Sequence, residues 1–206
     1  MHAVFLDYKT VDADDLDLGS IKALLPEIVI HPFSNKAEVL DRIEDAEVAI
    51  ANKVIFDAEV FARAKQLKLI CVTATGTNNI DLEAATRSGV VVCNIRDYCT
   101  DSVVQHVLLS ILTLMHSFKD YGGSIERGDW QEGYSFSLLQ HPITELSGKS
   151  LGILGYGILG RGVAKAATAL GLNILVCESF SGNSESDGGP DRVPFAAFLK
   201  ESDIIS

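Results

Sequence analysis

The chain has 206 residues, more than one domain of about 150 residues and less than two. Its 17 Lys and Arg stand against 28 Asp and Glu, a net charge of −11, and with 47 % hydrophobic and 22 % charged residues the composition is globular, which excludes wholesale disorder and a collagen-like fibre. A pI near 4.8 opposes long-range attraction to nucleic acid or anionic lipid, so neither is an expected partner.

In chain order, residues 4–7 read as a short strand, followed by an acidic stretch and a helical pattern through Ile21, Leu24 and Leu25. Residues 27–30 form the next strand candidate, and Val39, Leu40 and Ile43 recur at helical spacing after a polar turn. The alternation repeats: a strand at 48–51, a helix capped by Asp57, a near-continuous apolar strand at 67–73, a helix capped by Asp81 and ended by Gly89, and a strand at 90–95. Five short strands separated by helices predict a parallel sheet covered on both faces, a flavodoxin-like α/β unit over residues 1–100.

One long helix is expected over residues 101–121, ended by Gly122 and Gly123, with a hinge near residue 100. Its apolar part, 103–115, is interrupted by Gln105 and His106 and is too short to span a bilayer. Residues 125–147 read as an ordered connector in which Trp130 serves as an apolar anchor. A second α/β unit follows, with strands at 150–154 and 173–177, an alanine-rich helix to Leu170, a flexible surface loop at 181–191, a helix at 195–200 and a strand beginning at 203–206. That order reads as the first half of a Rossmann domain, so residues 101–206 are expected to be a truncated nucleotide-binding domain and the chain a fragment of a longer protein.

Four cysteines, at 71, 93, 99 and 177, form no C-x-x-C pair; Cys71, Cys93 and Cys177 lie in apolar strand runs and read as small buried hydrophobes, and Cys99 as a loop thiol. No secretory pattern is readable in residues 1–10, so the cytoplasm is expected, and there the thiols are expected to stay reduced. His106 and His116 are ten residues apart, about 280° off a common helical face, and no metal site is expected.

The strongest local motif is Gly155-Tyr156-Gly157-Ile158-Leu159-Gly160, a G-x-G-x-x-G between an apolar strand and a helix. The first glycine permits the tight turn, the second lets a diphosphate approach the backbone, and the third lets helix and strand pack closely. The helix N-terminus then offers unpaired amides and a positive dipole end to the phosphates. Glu178, eighteen residues beyond Gly160, closes the next strand where a ribose-binding acid is expected. Its charge disfavours the extra phosphate of NADP, so NAD is the expected cofactor, with Arg192 as the nearest opposing feature. In the first unit the segments 73–81 and 101–106 follow strands, where ligands of open α/β sheets bind, and the amides around Gly76 are expected to form a carboxylate nest.

Together T-G-T-N-N-I-D, C-N-I-R-D-Y-C-T-D-S-V-V-Q-H, G-D-W and E-L-S-G-K-S-L-G-I-L-G-Y-G give the chain a resemblance, over essentially its whole length, to the D-isomer-specific 2-hydroxyacid dehydrogenases, with the glycerate dehydrogenase (hydroxypyruvate reductase) branch nearest. The resemblance implies that residues 1–100 belong to a substrate domain in which Thr75, Gly76 and Thr77 hold the substrate carboxylate, Thr75 also approaching the cofactor. It implies that Val104 lies near the nicotinamide, that the Ile158 and Leu159 backbone meets the diphosphate, and that the helix from Asp101 contributes to a homodimer. The family's reaction is hydride transfer between NAD(H) and a 2-hydroxy or 2-keto acid, performed with an arginine, a histidine acid/base and a glutamate that all fall beyond the equivalent of Ser206, so no catalytic residue is assigned and this stretch by itself is expected to be inactive. Phosphoglycerate-using relatives carry an arginine where this chain has Val72 and Thr73, which points to a small unphosphorylated acid such as hydroxypyruvate or glyoxylate. The alternative reading is an NAD(H)-sensing interaction module on the same fold, without turnover.

Overall fold

The computed structural model describes residues 1–180 and 190–206 and divides into two units, Met1–Tyr98 and Cys99–Ser206. In the first unit the chain runs β1 (Ala3–Phe5), a 3-10 turn at Tyr8–Thr10, α1 (Gly19–Leu24), β2 (Val29–Ile30), α2 (Lys36–Arg42), β3 (Val48–Ala51), α3 (Ala58–Arg63), β4 (Leu69–Val72), α4 (Leu82–Arg87) and β5 (Val91–Cys93). The five strands are all parallel in the order β2-β1-β3-β4-β5, the flavodoxin-like order, with the direction of winding reversing between β1 and β3.

Local chemistry explains where the helices start. The Asp57 carboxylate accepts from the amides of Glu59 and Val60, and Asp81 accepts from Ala84, as the capping residues read from sequence require. Asn35 and Glu38 form a reciprocal capping box at the start of α2. Gly89 sits at φ +69, the left-handed conformation that turns the chain out of α4. One face of the sheet is dry: Val4, Leu6, Ala49, Ala51, Ile70 and Val72 cluster with Val39, Ile43, Val60, Phe61, Ala84 and Ala85 of the three covering helices.

The second unit contains α5 (Thr100–Met115), α6 (Phe118–Glu126), α7 (Asp129–Glu132), β6 (Ser150–Ile153), α8 (Ile158–Ala169), β7 (Asn173–Cys177), β8 (Arg192–Val193), α9 (Phe195–Glu201) and β9 (Ile204–Ile205). Its strands are parallel in the order β8-β7-β6-β9, so the direction of winding reverses at β6. This is the strand order of half a Rossmann sheet. Leu151, Ile153, Val163, Ala164, Ala167 and Leu172 form the core with Ile111 of α5, and Val104 and Met115 pack at its margin.

Several expectations are corrected here. The single helix over 101–121 is two helices, because Ser117 adopts φ 48 and breaks the ladder after α5. Its hydroxyl donates to the Pro142 carbonyl at 2.7 Å, a contact with a residue far along the chain. Gly122 and Gly123 do not end the helix but lie inside α6. Each costs about 1 kcal/mol relative to Ala there, and the turn is held by Tyr121, which donates to the His141 carbonyl, and by buried Ser124, which meets the His141 ring at 3.1 Å. The connector is partly helical (the end of α6 and α7), and Trp130 is 52 % exposed, tethered by its indole N–H to the Phe136 carbonyl rather than by burial. Strand β8 was not foreseen, since two residues carry no period. The loop expected at 181–191 lies almost entirely outside the described residues. No helix among the described residues is long and apolar enough to cross a membrane.

Candidate functional site

A cleft of the second unit opens at the carboxyl end of β6, the point where strand order reverses and open α/β sheets bind ligands. It has a volume of about 710 Å³ and is lined by Leu154, Gly155, Tyr156 and Gly157 on one side and by Cys177, Glu178, Ser179 and Phe180 on the other, with Arg161 and Arg192 contributing side chains. Ligand pockets span roughly 300–1,000 Å³, so the space suits a nucleotide.

Each glycine of the fingerprint has an observed structural task. Gly155 turns the chain at φ +99, a conformation that side-chain-bearing residues rarely adopt. At Gly157 a Cβ would meet nothing within 4 Å, so the backbone is open to a ligand there. At Gly160 a Cβ would overlap the Gly155 carbonyl oxygen and come within 3.2 Å of Ile153 Cγ2, which is the close helix–strand packing expected of the third glycine. Arg161 N–H donates to the Gly157 carbonyl, so the amides of Ile158, Leu159 and Gly160 precede the intrahelical ladder and carry the positive end of the α8 dipole. A diphosphate fits these donors, and the space at Gly157 leaves room for it.

Glu178 stands across the same cleft, exposed at the end of β7, with its amide donating to the Val193 carbonyl and its Oε1 accepting from the Phe195 amide at 3.1 Å. The carboxylate is therefore aimed by the first turn of α9 while retaining lone pairs for a hydroxylated ligand. Arg192, on β8, donates to the Cys177 carbonyl at 3.3 Å and lines the cleft beside Glu178, so this end of the cleft carries both signs of charge. Arg161, with its guanidinium 5.8 Å from the centroid of the Tyr156 ring, was not foreseen as a lining residue. The available signal was a cation one residue past the fingerprint.

Of the remaining predicted residues, Val104 does not line this cleft; its Cγ2 lies 2.9 Å from where a Cβ on Gly162 would sit, so it packs α5 against α8. Ile158 and Leu159 expose their side chains and are not among the lining residues, which leaves their backbones as the groups available to a phosphate. His106 is exposed on α5. Among the described residues no group of three or more His, Cys, Asp or Glu is placed to hold a metal ion.

In the first unit the segment after β4 carries Thr75 and Gly76 exposed and Thr77 half-buried. Asn94 Nδ2 donates to the Thr75 carbonyl at 2.7 Å, Ile95 N–H to the Ala74 carbonyl at 3.1 Å, and Ile80 N–H to the Thr77 carbonyl at 2.9 Å, so the loop is fixed through its carbonyls. Gly76 is not in the left-handed region, so the turn there is built without a positive φ. Three converging amides also occur at Asn52, Lys53 and Val54, and their acceptor is internal: the buried Asp7 carboxylate, at 2.6–3.2 Å. Asn79 Nδ2 donates to the carbonyls of Asn52 and Val54 at 3.3 and 2.7 Å, linking this turn to the Thr75–Thr77 loop. Neither Asp7 nor Asn79 was singled out from sequence, because the amides that Asp7 binds lie 45 or more residues away.

The chain is similar to known proteins over most of its length. The family model described as D-isomer specific 2-hydroxyacid dehydrogenase, catalytic domain, matches residues 5–192. Glycerate dehydrogenase of Methylorubrum extorquens is 38 % identical over 169 residues, covering 82 % of this chain and 52 % of that protein. Among solved structures, an acyclic imino acid reductase in complex with NADPH and D-Arg superposes with a TM-score of 0.80 at 20 % identity, over 100 % of this chain and 64 % of that one. D-lactate dehydrogenase of Aquifex aeolicus, complexed with NAD and lactic acid, superposes with a TM-score of 0.76 at 24 % identity, over 98 % and 59 %. Both of these show the fold. The chain spans 52–65 % of the length of the first curated relatives it matches.

Proposed function

The chain belongs to the D-isomer specific 2-hydroxyacid dehydrogenase family, and on that premise we propose that it is part of an oxidoreductase exchanging a hydride between NAD(H) and a small D-2-hydroxy acid or its 2-keto counterpart, of the glycerate/hydroxypyruvate kind. The observation that carries the reading is the meeting of the open Gly157 backbone, the α8 N-terminus and the Glu178 carboxylate around one cleft. When bound, the nicotinamide supplies the hydride acceptor or donor. The chain's own residues bind and orient: Gly155 to Gly160 receive the diphosphate on backbone amides, Glu178 accepts from the ribose hydroxyls, and Tyr156 forms part of the wall. Thr75, Gly76 and Thr77 receive the acid's carboxylate, with Thr75 also serving the cofactor, and Val104 is assigned a place near the nicotinamide.

NAD is favoured over NADP because Glu178 repels a second anion at the ribose; Arg192 in the same cleft moderates that preference. Val72 and Thr73, which supply no cation ahead of the carboxylate loop, favour an unphosphorylated acid. Residues 1–100 are assigned to a substrate domain and 101–206 to a nucleotide domain, in a cytoplasmic protein that pairs through the exposed leucines of α5. No residue of the chain is assigned to proton transfer, so the 206 residues bind dinucleotide without turnover. Isothermal titration with NADH tests the reading: binding that disappears in Gly157→Val supports it, and no heat with NADH sinks it. Oxidation of NADH in the presence of hydroxypyruvate or glyoxylate would overturn the assignment of catalysis to residues outside this chain.

A further inference from the structure

We propose that Cys71 and Cys93 form a redox-modification site, a cross-strand dithiol that a peroxide converts to a disulfide tying β5 to β4. The two residues are register partners on adjacent parallel strands. Paired positions in neighbouring strands project their side chains to the same face, and strands lie about 4.8 Å apart, inside the roughly 4.4–6.8 Å between Cα atoms that a disulfide spans. Among the described residues the other cysteines are placed differently: Cys177 is buried in β7, and Cys99 stands at the start of α5 in the second unit.

The environment of the pair is not the apolar interior that the sequence suggested. Ile70 and Val72 face the dry side of the sheet; on the cysteine side Ile50, the register neighbour of Cys71, is buried, and the face opens toward the β5 margin, where Leu69 is half-buried and Val91 58 % exposed. Cys93 is exposed and Cys71 half-buried, and burial together with the nearby Cys93 sulfur pushes the Cys71 thiol up from its ordinary value. The accessibilities of the two thiols divide the chemistry: exposed Cys93 meets the oxidant, and Cys71, its register partner, resolves. β5 is the edge strand of the described sheet and only three residues long, so β4 is the one strand that holds it.

In the first step the Cys93 thiolate attacks one oxygen of the peroxide, the O–O bond breaks, Cys93 becomes a sulfenic acid, and the departing hydroxide takes up a proton to leave as water. In the second, the Cys71 sulfur, losing its proton, attacks Cys93 Sγ; the S–S bond forms, the S–O bond breaks and a second water leaves. Two thiols lose two electrons and two protons, and hydrogen peroxide is reduced to water. The bond would sit directly before Asn94 and Ile95, which hold the carbonyls of Thr75 and Ala74. Its effect on a carboxylate ligand rests on the reading of that loop given above, whereas the modification itself does not.

The test treats the 206-residue chain with hydrogen peroxide in the absence of cofactor and acid, blocks remaining thiols with N-ethylmaleimide, and maps the digest by mass spectrometry before and after reduction. The expected result is a peptide pair joined through Cys71 and Cys93, lighter by two hydrogens than the reduced pair and separated by reductant. In Cys71→Ser, Cys93 is expected to accumulate as a dimedone-trapped sulfenic acid and then as sulfinic acid; in Cys93→Ser, oxidation of Cys71 is expected to be lost. The proposal is overturned if the unmodified chain carries Cys93 sulfinic acid beside reduced Cys71, if Cys93 pairs with Cys99 or Cys177, or if both thiols stay reduced at peroxide levels that oxidise Cys99. Because the decisive measurement is on the chain without substitution, a variant that fails to fold does not affect it, and a failure to bind NADH leaves it untouched.

Discussion

A methyl group on Gly160 would collide with the carbonyl oxygen of Gly155, five residues earlier, whereas one on Gly157 would meet nothing. The two glycines of one motif therefore have separable tasks, packing and ligand access. Gly160→Ala should destabilise the second unit by about 1–3 kcal/mol, the usual cost of overpacking, and Gly157→Ala should leave thermal unfolding unchanged while weakening NADH. Calorimetric melting with NADH titration separates them. Equal melting temperatures for the two variants would contradict the assignment.

Glu178 and Arg192 set opposite charges on the wall of the cleft where the ribose is proposed to bind. Removing a charged acceptor costs about 1.5–3 kcal/mol, so Glu178→Ala should weaken NADH by at least about tenfold while improving NADPH relative to it. Arg192→Ala should change NADPH binding more than NADH binding. Fluorescence titration with both nucleotides reads the ratio, and an unchanged ratio in Glu178→Ala would remove this residue from the ribose site.

The Asp7 carboxylate is the common acceptor for the amides of Asn52, Lys53 and Val54. Asp7→Ala strands the buried amides of Asn52 and Val54 and the partly buried one of Lys53, and each unsatisfied buried group costs about 1–3 kcal/mol. Hydrogen exchange should show loss of protection at the ends of β1 and β3 and around Asn79, with β6 to β9 unaffected. Uniform loss across both units would show that the turn is not a local lock.

Asp57 caps α3 and bonds Lys36, and these interactions, first the Lys36 hydrogen bond and then the Val60 amide, hold its carboxyl below the usual aspartate range. A depressed folded value means that stability is gained above the unfolded-state pKa, near 3.9, and is lost as pH falls through the lower folded value. Asp57→Ala should lower stability at neutral pH by about 1 kcal/mol. The difference from the unsubstituted chain should shrink as pH drops below about 4. Urea denaturation at pH 7 and pH 3 measures it; a pH-independent difference would rule out the carboxylate as the cap.

Much of this molecule is local in origin and was legible as such. Asp57 and Asp81 act on amides two or three residues away, the glycine fingerprint spans six residues, and the strand–helix alternation needs only the apolar pattern, so caps, motif and α/β class follow from neighbouring residues. The family resemblance extended this to the expected binding residues.

Tertiary structure alone decided the features that join distant segments. Ser117 breaks a helix that its own sequence favours because Pro142 offers its carbonyl, and Gly122 and Gly123 stay helical because His141 holds Tyr121 and Ser124. Val104 packs on Gly162, Asp7 serves a turn more than forty residues on, and Cys71 meets Cys93 because strand register places them side by side. Sequence by itself determined what each segment prefers, since propensity and capping act within a turn or two; the partners that override or complete those preferences exist only once the sheets have set which strands are neighbours.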